Sequence, residues 1–134
     1  MAVLRDEHIP VRSVDDIIKA RQLVRDSAIA QGLSLVDQTK LITAASELAR
    51  NTLVHGKGGD MRLELLNDGA RRGVRVTFSD QGPGITDMAL AMKDGYSSGG
   101  GLGLGLGGAK RLVNEFTIES EPGKGTKVMI LRWR

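Results

Sequence analysis

The chain has 134 residues, a length that suits one domain able to bury about two thirds of its unfolded surface in a single core. Nineteen Lys and Arg against sixteen Asp and Glu leave a net charge of only +3, so nucleic-acid binding is not demanded and a polyanionic small ligand fits as well. With no Cys, no apolar run near the ~20 residues of a membrane span and no basic-then-apolar leader, a cytoplasmic protein without a membrane partner is expected.

Residues 7–12 read as a first strand, followed by Ser13 as an N-cap with Asp15 and Asp16 in the first helical turn. Ile17, Ala20, Leu23, Val24, Ala28 and Ile29 recur at helical spacing, Lys19, Arg21, Arg25 and Asp26 take the other face, and Gly32 ends the pattern. Ser34 opens a second helix that runs to the neighbourhood of Gly56, with Leu41, Ala45, Leu48 and Thr52 as its buried stripe. Lys40, Ala44, Glu47, Asn51 and His55 form a second stripe, so Glu47 and Asn51 project from one face a single turn apart. An acid and an amide so placed can divide labour at a phosphate. The Asn oxygen is a hard ligand for Mg²⁺, and the Glu can take a proton from a hydroxyl. Taken alone, the same pair describes an ordinary solvated helix face more readily.

Residues 62–65 and 74–78 alternate like two strands of a hairpin joined through Asn67, Asp68 and Gly69. The second strand delivers Asp80 to its end, just before a turn made of Gln81, Gly82, Pro83, Gly84 and Ile85. Gly82 and Gly84 carry no Cβ, so a flat ligand can lie against the backbone while Asp80 accepts a hydrogen bond from an exocyclic amine. A tight turn with a solvated Asp accounts for these residues equally well.

Residues 99–108 are glycine-rich and lead into a helical pattern of Leu106, Ala109, Leu112 and Val113. Free backbone N–H groups at a helix start make an anion site. Gly103, Gly105 and Gly108 fit a dinucleotide-type glycine pattern, but no strand precedes them. The P-loop pattern fails because Lys110 lies between Ala109 and Arg111, and the companion motifs of eukaryotic-type protein kinases are missing. A flexible linker is the plainer alternative, although linkers do not usually alternate Leu with Gly as Leu102, Leu104 and Leu106 do. Residues 116–120 and 126–131 make a closing hairpin. His8 and His55 are too few and too far apart in sequence to suggest zinc. This order of elements predicts an α+β fold, a two-layer α/β sandwich whose helices cover one face of a mixed sheet.

Glu47-Leu48-Ala49-Arg50-Asn51, Asp80-Gln81-Gly82-Pro83-Gly84 and Gly101-Leu102-Gly103-Leu104-Gly105-Leu106, in that order and spacing, resemble the N, G1 and G2 boxes of the GHKL superfamily of ATP-binding domains. The short length and the glycine string running into Lys110-Arg111-Leu112 narrow the resemblance to the anti-sigma-factor serine/threonine kinases, and among these to the stressosome switch kinases. The likeness covers nearly the whole chain. It implies a Bergerat-type ATP-binding fold occupying residues 1–134 as a single kinase domain. It further implies that Asp80 binds the adenine amino group, that Gly82, Gly84 and Ile85 shape the adenine pocket, and that the Thr126 hydroxyl supports the base. Asn51 would hold Mg²⁺, Glu47 would be the general base, and Gly101, Leu102, Gly103, Leu104, Gly105 and Leu106 would form a lid around the phosphates. Gly107 stands where the resemblance leads one to expect Pro.

The activity so implied is transfer of the γ-phosphoryl group of ATP to a Ser or Thr hydroxyl on a STAS-domain antagonist protein, with a PP2C-type phosphatase switched on by the released kinase. A nucleotide-dependent module that sequesters a partner such as a sigma factor would keep Asp80 and the lid but make Glu47 expendable. A nucleic-acid binder is disfavoured, because the chain has no basic-aromatic pattern.

Overall fold

In the computed structural model, which describes residues 1–93 and 105–134, two serines set the start of the helical layer. The Ser13 hydroxyl accepts the Asp16 N–H at 3.2 Å to open α1 (Val14–Ala30), and Ser34 accepts the Asp37 N–H at 3.1 Å to open α2 (Leu35–Val54). Each cap satisfies a donor that the helix itself cannot pair, a contribution of about 1 kcal/mol. At the other end of α1, Gly32 takes a φ of +78° that lets the chain turn into α2. The Gln31 side-chain amide beside it donates to the carbonyls of Leu66 and Gly73, both at 2.9 Å, which ties the helix end to the sheet.

The sheet comprises β1 (Ala2–Val11), β2 (Gly59–Asn67), β3 (Arg72–Asp80), β4 (Glu115–Glu121) and β5 (Gly125–Trp133), ordered β1-β2-β3-β5-β4. Strand β1 begins at Ala2 rather than residue 7, because its register against β2 continues to Asn67 past a bulge between Val3 and Arg5. Among the described residues, two short helices, α3 (Met88–Ala91) and α4 (Gly105–Arg111), lie between β3 and β4 in the chain.

The two-layer arrangement is as the sequence predicts, but the sheet is antiparallel at every pairing rather than mixed. The reason lies in the connections. The helix pair α1 and α2 brings the chain back to the end of the sheet it left, so that Val11 pairs with Gly59 and β2 runs against β1. Strands β3 and β4 do run in the same direction, but β5 is inserted between them and pairs antiparallel with both.

Alternate residues of the strands point at the helices. Met61, Leu63, Val74, Val76, Phe78 and Ile130 from the sheet pack with Val24, Ala28, Leu41, Ala45 and Leu48, all of them buried. Burying each large side chain of this kind contributes about 1.5–3 kcal/mol. The expected stripe Leu41, Ala45, Leu48 and Thr52 is thus the inner face of α2. On the opposite face of the sheet, Glu64 is buried against Arg75, which donates to its two carboxylate oxygens at 2.9 and 2.8 Å. Among the described residues no helix is long and apolar enough to cross a membrane.

Candidate functional site

The row of helix-facing residues on β3 and β5 changes character at its end. Val76 pairs with Ile130 and Phe78 with Val128, but the next pair is Asp80 with Thr126. Cross-strand partners share a face of the sheet, so a carboxylate and a hydroxyl continue an otherwise apolar row. They open into a cavity of about 310 Å³ under α2, walled by the apolar side chains of Leu48, Phe78, Ile85, Leu106 and Val128. Asn51 reaches the same cavity from α2, and Gly84 and Gly105 line it as well.

The turn that follows β3 is held by close backbone approaches. Asp80 Oδ1 accepts the Gly82 N–H at 2.9 Å, which fixes the carboxylate from behind. Gly56, just past α2, packs directly on that carboxylate: a Cβ at Gly56 would overlap Asp80 Cγ, and one at Gly82 would stand 2.7 Å from Gly56 Cα. Gly82 secures Asp80 through its backbone N–H, and the turn meets the cavity at Pro83, Gly84 and Ile85. Gly84 has a φ of +76° and abuts the Glu121 carbonyl, leaving no room for a side chain.

The hairpin of β4 and β5 clamps this turn. Gly123 N–H donates to the Pro83 carbonyl at 2.6 Å, and Ile85 N–H donates to Ser120 Oγ at 2.8 Å. Ser120 in turn donates to the Gly125 carbonyl at 3.1 Å and lies 2.9 Å from Thr126 Oγ1. Neither Gly56 nor Ser120 is singled out by the sequence as part of the site. Gly56 carries only a helix-stop signal, and nothing local distinguishes Ser120 from any other strand serine.

Asn51 and Glu47 divide between the cavity and the packing beneath it. Asn51 is half-buried in the cavity wall, whereas Glu47, one turn earlier, is 9 % exposed and does not line it. The Glu47 Oε1 accepts the N–H of Gly105, the first residue of α4, at 3.2 Å. The stripe they share is not a solvated face, since Ala44 is fully buried on it. Gly105 and Leu106 are buried and line the cavity, while Gly101, Leu102, Gly103 and Leu104 lie outside the described residues. Gly107 is buried within α4. His55 lines the cavity, and His8 lies beside Asp6 at 3.4 Å.

The lining combines apolar walls with a few polar groups: the carboxylates of Asp80 and Asp87, the Thr126 hydroxyl and the Asn51 amide. Residues 36–134 match the family described as histidine kinase-, DNA gyrase B-, and HSP90-like ATPase. The chain belongs to this family.

Relatives within this ATPase family resemble the chain over most of its length. The serine/threonine-protein kinase RsbT of Bacillus subtilis (strain 168) is 44% identical over 118 residues, covering 88% of this chain and 89% of the relative. The anti-sigma F factor of Clostridium acetobutylicum is 31% identical over 105 residues, covering 73% of this chain and 70% of the relative. A crystal structure of the RsbU and RsbW domains of a Mycobacterium tuberculosis protein superposes with a TM-score of 0.67 at 23% identity over 97% of this chain. The chain spans 33% of that longer protein, and the likeness is one of fold.

Proposed function

We propose that this chain is an ATP- and Mg²⁺-dependent serine/threonine protein kinase of a cytoplasmic partner-switching pathway, with a STAS-domain antagonist protein as phosphoacceptor and a PP2C-type phosphatase as the target of the released kinase. The observation that carries this reading is the convergence of Asp80, Thr126 and Asn51 on one cavity, with Glu47 a helical turn away from Asn51. The names of the relatives, a serine/threonine kinase and an anti-sigma factor, support the same class of activity.

Each residue then has a role. Asp80 and Thr126 hold the edge of the adenine, and Leu48, Phe78, Ile85, Leu106 and Val128 enclose its faces. Gly105 and Leu106 take the phosphate side. A cavity of about 310 Å³ agrees with the ~300–1,000 Å³ of small-molecule sites. The donor set suits Mg²⁺ in its usual mode, in which one or two protein oxygens are completed by substrate phosphates and water. Among the described residues no group of three or more His, Cys, Asp or Glu could hold a metal without the substrate, and Asn51 supplies the one oxygen ligand assigned here. When bound, the metal would neutralise charge on the phosphates. Glu47 takes the proton of the acceptor hydroxyl, which the STAS-domain partner brings to the site.

The test is to incubate the purified chain with labelled ATP, Mg²⁺ and a STAS-domain protein. Label on the acceptor, lost in the Asp80→Asn variant, is expected; an unlabelled acceptor with tight ATP binding sinks the kinase reading. A second reading, sequestration of a partner with little transfer, is favoured by the burial of Glu47 and its bond to Gly105, which suit a structural carboxylate. It requires that a Glu47→Gln variant still binds its partner in a nucleotide-dependent way and that the parent labels nothing.

A further inference from the structure

Proton counting at Ser120 assigns a direction to the Thr126 hydroxyl. A serine hydroxyl has one proton to give and two lone pairs to offer. Three groups surround Ser120 Oγ: the Ile85 N–H at 2.8 Å, which can only donate; the Gly125 carbonyl at 3.1 Å, which can only accept; and Thr126 Oγ1 at 2.9 Å, which can do either. The amide takes one lone pair and the carbonyl takes the proton. For all three contacts to be hydrogen bonds, Thr126 must donate its own proton to the remaining lone pair of Ser120. The opposite arrangement sets a lone pair of Ser120 against the Gly125 oxygen.

We infer that Ser120 is a specificity-determining residue: by consuming the Thr126 proton it makes Thr126 present only lone pairs to the cavity. Across the sheet from Thr126 stands Asp80, an acceptor when ionised. The end of the cavity formed by β3 and β5 is then a pair of acceptors, and it selects a base edge carrying an amine over one carrying an oxygen acceptor in the same place. Asp80 alone would discriminate in the same sense. The Ser120 relay adds to it by denying an oxygen acceptor the Thr126 hydroxyl as a donor. The cost of an unmatched polar group in such a site falls on the wrong ligand.

This inference rests on the reading of the cavity as a nucleotide site, and the experiment separates the two. ATP and 6-methoxypurine riboside triphosphate, which has an acceptor oxygen in place of the exocyclic amine and keeps ring N1 an acceptor, are titrated calorimetrically into the parent, Ser120→Ala, Ser120→Thr, Thr126→Val and the Ser120→Ala/Thr126→Val double variant. Folding of each is followed by its thermal midpoint. The Ser120→Ala change frees the Thr126 hydroxyl to rotate, and the preference for ATP over the 6-methoxy analogue is expected to fall about three- to tenfold, the value of one net hydrogen bond. Ser120→Thr keeps the relay and the preference. In the Thr126→Val background, Ser120→Ala should leave the preference where Thr126→Val alone puts it. A parent that binds neither nucleotide overturns the nucleotide site itself. A parent that prefers ATP, with a folded Ser120→Ala variant of unchanged preference, overturns the role of Ser120 alone.

Discussion

Glu47 Oε1 accepts the backbone N–H of Gly105 at 3.2 Å, so the residue assigned as general base also fastens the first residue of α4. The two roles separate by substitution. Glu47→Gln keeps an oxygen for Gly105 but cannot take a proton, whereas Glu47→Ala loses both. Both variants are expected to bind ATP near the parental affinity and to transfer phosphate about 10²–10⁴ times more slowly, the usual size of a general-base contribution. Glu47→Ala should also be about 1–3 kcal/mol less stable than Glu47→Gln, because the Gly105 N–H is left buried and unpaired. Transfer assays beside urea unfolding check both halves, and parental transfer by Glu47→Gln would remove the base assignment.

Gly56 touches the Asp80 carboxylate so closely that any side chain there displaces it. Its φ lies outside the left-handed region that only glycine favours, so the effect of Gly56→Ala is purely steric. We expect Gly56→Ala to weaken ATP binding as Asp80→Asn does. Losing a hydrogen bond from an ionised acceptor costs about 1.5–3 kcal/mol, which is one to two orders of magnitude in affinity. Combining the two substitutions should add little, since both remove the same contact. A calorimetric titration in which Gly56→Ala binds like the parent would show that the turn yields without moving Asp80.

What the sequence made legible here is what is local in the chain. Alternation through residues 74–78 and the Gly-Pro turn after it place Asp80 at a strand end. Spacing places Glu47 and Asn51 on one stripe of α2. Non-local relationships are another matter. That Thr126 stands opposite Asp80 depends on β5 inserting between β3 and β4, and strand order is not written in any window of residues. Whether the Glu47 stripe meets water or another helix is decided by where α4 packs. The serine that clamps the turn is 35 residues from Ile85, and its importance exists only once the hairpin closes over residues 81–85.

On the face of the sheet away from the helices, Arg75 makes a two-pronged hydrogen bond to Glu64 and holds its carboxyl below the usual glutamate range; Arg62 adds attraction at 3.6 Å. A folded pKa below the unfolded one gives stability that is fully present above the unfolded value and disappears as pH falls through the folded value. The stability of the protein should therefore decline below about pH 4.3, the ordinary glutamate pKa, with Glu64 as one contributor. Glu64→Gln should cost about 1–3 kcal/mol at neutral pH and flatten the acid limb of the curve. Urea unfolding from about pH 7 down to about pH 3 measures both, and an unchanged slope in the variant would deny Glu64 its part in acid sensitivity.

Asn51 is the polar group of α2 that reaches the cavity one turn beyond Glu47, and its assigned task is metal binding with the phosphates. Its side chain brings one oxygen without charge, enough for a metal that keeps water and takes its other ligands from substrate. Asn51→Ala should leave the Asp80 end of the site intact, so ATP alone still binds, but added Mg²⁺ should no longer tighten the complex. Asn51→Asp restores an oxygen ligand and is expected to restore the Mg²⁺ effect, which separates loss of a ligand from loss of packing. Titrations of ATP with and without Mg²⁺ on the parent and both variants decide the matter. If Asn51→Ala responds to Mg²⁺ as the parent does, the metal is held by the phosphates and other residues, and Asn51 serves only as part of the wall.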